Sequence, residues 1–225
     1  MKKIILMFSI LASLFSSFSV AFAADDTVDS SRTGDADVRS HRSSGGLFVE
    51  PMLIYSKNEA SIKTSQLPLL TGDSSGTIND AAIGARLGFH VADIFILAAD
   101  GRYGKSRFQD SLYSTADGSN YNYGVTAGVQ TPLAGIQLFG TYILGGVFDP
   151  AAGANNIDMK FTDARGYRVG AGLHILAVSV NLDYQDLTYN NSTIESFGNF
   201  TVNQSSKVDA TQRGYAVSLG FPIEL

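Results

Sequence analysis

Along residues 82–105, apolar and polar positions alternate through two runs joined by a very short turn. Ile83, Ala85, Leu87 and Phe89 fall on one face, and Gly84, Arg86, Gly88 and His90 on the other, the period-two spacing of a β-strand with one apolar side. Past Val91, Ala92 and Asp93 the chain turns back. Phe95, Leu97, Ala99 and Tyr103 then share the apolar face, and Ala98, Asp100 and Arg102 the opposite one. The same design recurs at 120–148, pivoting at Pro132 to Gly135, and at 166–189, pivoting at Leu176 and Ala177. With one strand before and one after, the pattern predicts strands at 46–57, 78–90, 94–107, 120–131, 136–148, 163–175, 178–189 and 208–221. Short turns at one end and long loops at the other predict an all-β fold, an eight-stranded antiparallel transmembrane β-barrel with short periplasmic turns and long extracellular loops. Pro51 is a cost in the first strand, tolerable at a bulge. Strand five is the hardest to face, because Phe139 and Ile143 put apolar bulk on both sides.

A soluble barrel with an apolar interior shares this alternation, so period alone does not separate the two. The lysines of the mature chain, Lys57, Lys63, Lys105, Lys160 and Lys207, are expected in loops or at strand ends, whereas a water-facing sheet scatters lysine along its strands. The non-apolar face carries glycines with a few arginines and acids, which suits a narrow polar interior. Tyr55, Tyr103, Tyr121, Tyr123, Tyr167, Tyr184 and Tyr189 are expected as an aromatic girdle near the long loops, and Phe89, Phe95 and Phe221 as one near the short turns.

At the N-terminus, Lys2 and Lys3 precede an apolar run and Ala21-Phe22-Ala23, so residues 1–23 read as a Sec export signal. Residues 24–44 are polar and read as a disordered periplasmic lead-in, leaving 45–225 for the barrel. The chain has no cysteine, which excludes a lipoprotein and thiolate-metal chemistry. Its formal net charge of −5 becomes −7 without Lys2 and Lys3, and nothing in it is basic enough for nucleic acid.

The barrel pattern, ending on Tyr215, Val217, Leu219 and Phe221, resembles the small eight-stranded outer-membrane barrels typified by the OmpA membrane domain, OmpX and OmpW. The resemblance implies residence in the outer membrane of a diderm bacterium. It also implies lipid and lipopolysaccharide as surroundings, and recognition of the last strand by the barrel assembly machinery. Pro222-Ile223-Glu224-Leu225 after the terminal aromatic departs from the usual form.

Glu50, Arg86, Asp100, Arg102, Arg168 and Asp183 share the inward parity, and buried charges persist only when paired, so an interlocked ion-pair plug is expected. A gate or narrow ion path is the alternative use of the same residues. His90 and His174 occupy matching places at the short-turn ends of their strands and are expected to line the periplasmic mouth; a metal site is not expected. Residues 99–106 fit a relaxed phosphate-loop pattern, but no helix follows. No serine lies two residues from His90 or His174, so catalysis is not expected, and no cofactor is implied. The working surface is expected in the loops. Leu67, Leu69 and Leu70 form an apolar patch, while Phe197 and Phe200 lie in a segment, 190–207, that keeps some alternation and should project as a hairpin. The reading is a non-enzymatic envelope protein serving integrity or surface interaction, with a small pore or conduit for apolar molecules as the alternative and a lipid-modifying enzyme further behind.

Overall fold

The computed structural model describes residues 46–63, 73–92, 94–110, 114–131, 135–152, 156–175, 177–206 and 208–225. The export signal, the lead-in, and the Leu67, Leu69 and Leu70 patch lie outside the described residues. The strands are β1 (Leu47–Ile62), β2 (Ser74–Val91), β3 (Phe95–Asp110), β4 (Ser114–Gln130), β5 (Ile136–Pro150), β6 (Ile157–Ile175), β7 (Val178–Phe197), β8 (Phe200–Ser206), β9 (Ala210–Gly220) and β10 (Ile223–Glu224). β1 to β7 form an antiparallel meander, and β9 pairs with both β7 and β1, closing a ring of eight staves. β8 pairs with the far end of β7, and β10 continues the last stave against β1.

Pro51 sits where the closing seam breaks. The Phe221 N–H donates to the Pro51 carbonyl at 3.0 Å. Because N–H and C=O of one residue point to the same neighbour in an antiparallel ladder, the donor that Pro51 lacks would face the gap at Pro222, between β9 and β10. The two prolines therefore share one interruption.

The strands run further towards the long-loop end than the pattern predicted, and the reason is that the outward face turns from apolar to polar along the staves while apolar residues continue on the inward face. In the lower part of β1, Leu47, Leu53 and Tyr55 point out and are exposed, while Phe48, Glu50, Met52, Ile54 and Ser56 are buried inside. Above Tyr55 the outward residues become Lys57, Glu59 and Ser61, and the buried ones Ala60 and Ile62. β6 does the same: Tyr167, Val169 and Leu173 are exposed over buried Arg168, whereas Phe161, Met159 and Ile157 are buried further up. A strand rule that expects apolar residues on one constant face stops where that face turns polar. Much of what reads as loop at 108–119 and 149–162 is consequently strand.

Two other expectations change with it. Lys57, Lys105 and Lys160 lie within β1, β3 and β6, because those strands continue beyond their apolar belts. Tyr189 is buried, with its hydroxyl donating to Gln212 at 3.0 Å, because it shares the inward parity of Gln185 and Leu187. The outer ring instead holds exposed Tyr55, Tyr103, Tyr121, Tyr123, Tyr142, Tyr167 and Tyr215, and Tyr184 packs edge-on to Tyr215 at 5.3 Å. In β5, Phe139 and Ile143 both point inward, and a bulge takes up Leu144, since Gly124 pairs with Ile143 and Tyr123 with Gly145.

Candidate functional site

The barrel interior is stacked in layers, and the central one is ionic. Glu50, Arg86, Asp100, Arg102, Arg168 and Asp183 come from β1, β2, β3, β6 and β7, and none is more than 7 % exposed. Inward parity on adjacent staves brings them together across the lumen. Arg86 Nη1 donates to Glu50 Oε2 at 2.9 Å, and its Nη2 lies 3.6 Å from Asp100 Oδ2. Arg168 Nη1 donates to Asp100 Oδ1 at 2.6 Å, and Arg102 Nε lies 3.5 Å from the same oxygen. Arg102 also forks onto Asp183, at 2.9 and 3.3 Å. Three guanidinium groups thus meet three carboxylates, so the layer is formally neutral and Asp100 is its hub.

Neutral residues complete it. Arg168 donates to Asn122 of β4, Ser179 of β7 donates to Glu50, and the Arg86 guanidinium lies 4.8 Å from the centre of the Phe139 ring of β5. On β9, Gly220 leaves room for Glu50 and Ser179, since a Cβ there would collide with both side chains. Every one of the eight staves contributes.

A second polar layer lies above and was not singled out from the sequence. Ser56 Oγ donates to Asp80 Oδ2 at 2.8 Å, Asn58 Nδ2 at 3.2 Å and Gln212 Nε2 at 3.4 Å. Gln185 ties in through Asn58 at 2.9 Å. Asp80 has no cationic partner among the described residues. Its signal was present as an acid on the inward parity of β2, but its partners Ser56, Asn58 and Gln212 carry no charge to draw notice. Over this layer, Ile62, Ile78, Phe108, Phe148, Phe161 and Leu187 form part of an apolar cap, with Phe148 stacked on Phe161 at 6.0 Å between centroids.

His90 lies at the short-turn end, its ring tilted against Phe48 at 4.8 Å. His174 is cross-strand partner to Ser179, a neighbour invisible to spacing along one strand. The Ser179 hydroxyl donates to Glu50, so this serine is committed to the ionic layer. Phe197 and Phe200 are paired across the tip of the β7–β8 hairpin and exposed. Near that hairpin, the carboxylates of Asp149, Asp158 and Glu195 lie within 4.8 Å of one another. Lys160 sits among them, 3.2 Å from Asp149 and 3.6 Å from Glu195. Partial burial, and then Glu195 and Asp149, raise the Asp158 carboxyl above its usual range. A hydrogen bond from Lys160 to Asp149 raises the ammonium.

No protein-family model matches this chain, and no curated protein does. Among solved structures it is similar to the outer membrane protein OprG from Pseudomonas aeruginosa, with a TM-score of 0.52 and 16% identity over 80% of this chain and 97% of that one. It is also similar to Neisserial surface protein A, at TM-score 0.41 and 16% identity over 77% of this chain and 96% of that one. A third match is Ail, the attachment invasion locus protein of Yersinia pestis, at TM-score 0.37 and 14% identity over 78% and 99% of the two chains. The likeness to OprG is one of fold: a closed ring of eight antiparallel strands of the outer-membrane type.

Proposed function

We propose that this chain is an integral outer-membrane barrel without enzymatic activity, sealed through its centre, that works through its long-loop end. One observation carries the membrane part. The outer face is apolar up to the tyrosine ring and polar above it, while the interior holds its ionic and polar layers, among small apolar clusters, at the height of that apolar belt and an apolar cap above it. A barrel wholly in water has no reason to turn its apolar side out, and a closed ring satisfies every backbone group in lipid. Tyrosine at the line where the outer face turns polar suits a headgroup region.

The sealed reading rests on the stacked layers. An eight-stranded ring has little interior beyond what side chains fill, and here ion pairs, a polar layer and an apolar cap follow one another along the lumen. Export by a signal at 1–23 and contact with the assembly machinery belong to this proposal. So does a role in envelope integrity or surface interaction, for which the exposed Phe197 and Phe200 offer contact area.

Conductance tests the seal. Wild-type protein shown to have inserted into a planar bilayer is expected to be silent. Discrete openings, altered in size by Arg86→Ala, would replace this reading with that of a small pore built on the ionic layer.

A further inference from the structure

At the line where the tyrosine ring ends, outward cations occur around the barrel, but those without an ion-pair partner among the described residues, Lys57 and Lys105, lie on one side of it. Lys57 of β1 and Arg107 of β3 both pair with Asn79 of β2, one on each side of it. Two strand spacings separate them, about 10 Å between Cα atoms. One step down, Lys105 and Tyr55 flank Ala81 in the same way. Asn79 and Ala81 are short, so β2 forms the floor of a shallow trough walled by long cationic side chains. Lys57 and Lys105 are exposed and have no ion-pair partner among the described residues. Arg107 reaches Asp117 at 3.3 Å, but that pair is 63% and 80% exposed and holds the guanidinium weakly. Glu59 stands above Lys57, away from the tyrosines, beside its own cross-strand partner Arg213.

The opposite side is different. On β6 the outward cation Arg165 is bound to Asp163 at 3.0 Å, whereas Arg213, on β9 next to β1, is taken by Asp186 of β7 at 3.0 Å. A general accommodation to headgroups would distribute free cations around the ring. Here the two unpaired ones, Lys57 on β1 and Lys105 on β3, flank β2 together with the weakly paired Arg107, at the height where lipid phosphates lie and above a trough that can seat one. The amide of Asn79 adds a neutral donor to the floor.

We propose that Lys57, Lys105 and Arg107, around Asn79 and Ala81, form a docking cradle for the phosphate groups of an outer-leaflet glycolipid of the lipopolysaccharide class. The assignment rests on the outer-membrane reading, which places this height at the lipid headgroups. Charge complementarity selects a phosphate-bearing lipid, and the tyrosines beneath give its sugars and upper acyl chains an amphipathic surface.

The test uses the barrel refolded into phosphatidylcholine nanodiscs, with insertion read from the shift in gel mobility between unheated and boiled samples. Bisphosphorylated lipid A and its dephosphorylated form are then added, and bound copies are counted by native mass spectrometry. Wild type is expected to retain the phosphorylated form. The triple variant Lys57→Gln, Lys105→Gln, Arg107→Gln, whose changes are all exposed, is expected to lose about tenfold or more in affinity. Arg165→Gln, on the other side, is expected to bind as wild type does. Equal binding by the triple variant, equal binding of the dephosphorylated lipid, or an equal loss in Arg165→Gln overturns the cradle while leaving the membrane reading intact. Complete displacement by millimolar inorganic phosphate would make it a free-anion site and overturn the lipid assignment. A wild type that does not insert overturns the membrane reading and the cradle with it.

Discussion

Arg86 and Asp80 are both buried and ionisable, yet they sit in opposite circumstances. Arg86 is held by Glu50 at 2.9 Å, near Asp100 and over Phe139. Removing one member of a buried pair leaves the other charge uncompensated, so Arg86→Ala should cost about 3–5 kcal/mol, read from urea unfolding of the protein refolded in lipid. A change below about 1 kcal/mol would show that the layer contributes little to stability. Asp80 accepts from Ser56, Asn58 and Gln212 but meets no cation among the described residues. Asp80→Asn keeps an acceptor for those donors and removes an unpaired charge, so stability at neutral pH should equal or exceed wild type in the same assay. A loss comparable to that of Arg86→Ala would mean that the carboxylate holds a cation. The six ionic residues were legible from parity and charge; Ser179, Asn122 and Gly220 were not, because each lies on a strand whose register with its neighbours no spacing rule reports.

At the scale of the element, the β7–β8 hairpin stands out from the ring, since among the described residues β8 pairs only with β7 and its residues 200–205 are all exposed. It turns at Gly198 and Asn199, with Gly198 at φ +60°, a backbone conformation natural to glycine. Protease added to intact cells should cut within 190–207 and leave a protected barrel core on the gel. Cutting at the short turns instead would invert the orientation. Lys160 ties this hairpin to β5 by bridging Asp149 and Glu195. In Lys160→Gln the three carboxylates repel one another, so hairpin proteolysis should speed up at neutral pH. The Asp158 carboxyl is raised in the fold, so the fold disfavours its ionised form. Whatever stability its protonation confers is present at low pH and lost as pH rises through the folded value. The excess proteolysis of Lys160→Gln should therefore shrink on acidification, and a pH-independent excess would point to a packing role for Lys160.

Among the described residues, β1 to β7 and β9 form an eight-stave ring in which each stave pairs on both sides, so the ring itself offers no open edge from which unfolding could begin in a bilayer. Protein refolded in detergent should migrate as a compact species on a gel unless boiled. A single mobility, the same with and without boiling, would contradict a closed, self-satisfied barrel.

The alternation of side chains determined most of this architecture from the sequence alone. Period two says which residues share a face, and the spacing of turn residues says where the staves reverse. The inward arginines and acids followed directly. Which of them touch, and across which neighbours, depended on register and closure, because contacts such as Arg102 with Asp183, 81 residues apart, exist only once the ring is shut. Tertiary structure also decided where each stave ends. Above the tyrosines, Ile62, Phe108 and Phe161 turn inward to a common apolar cap, and their burial comes from staves meeting across the lumen, which no single strand's pattern contains.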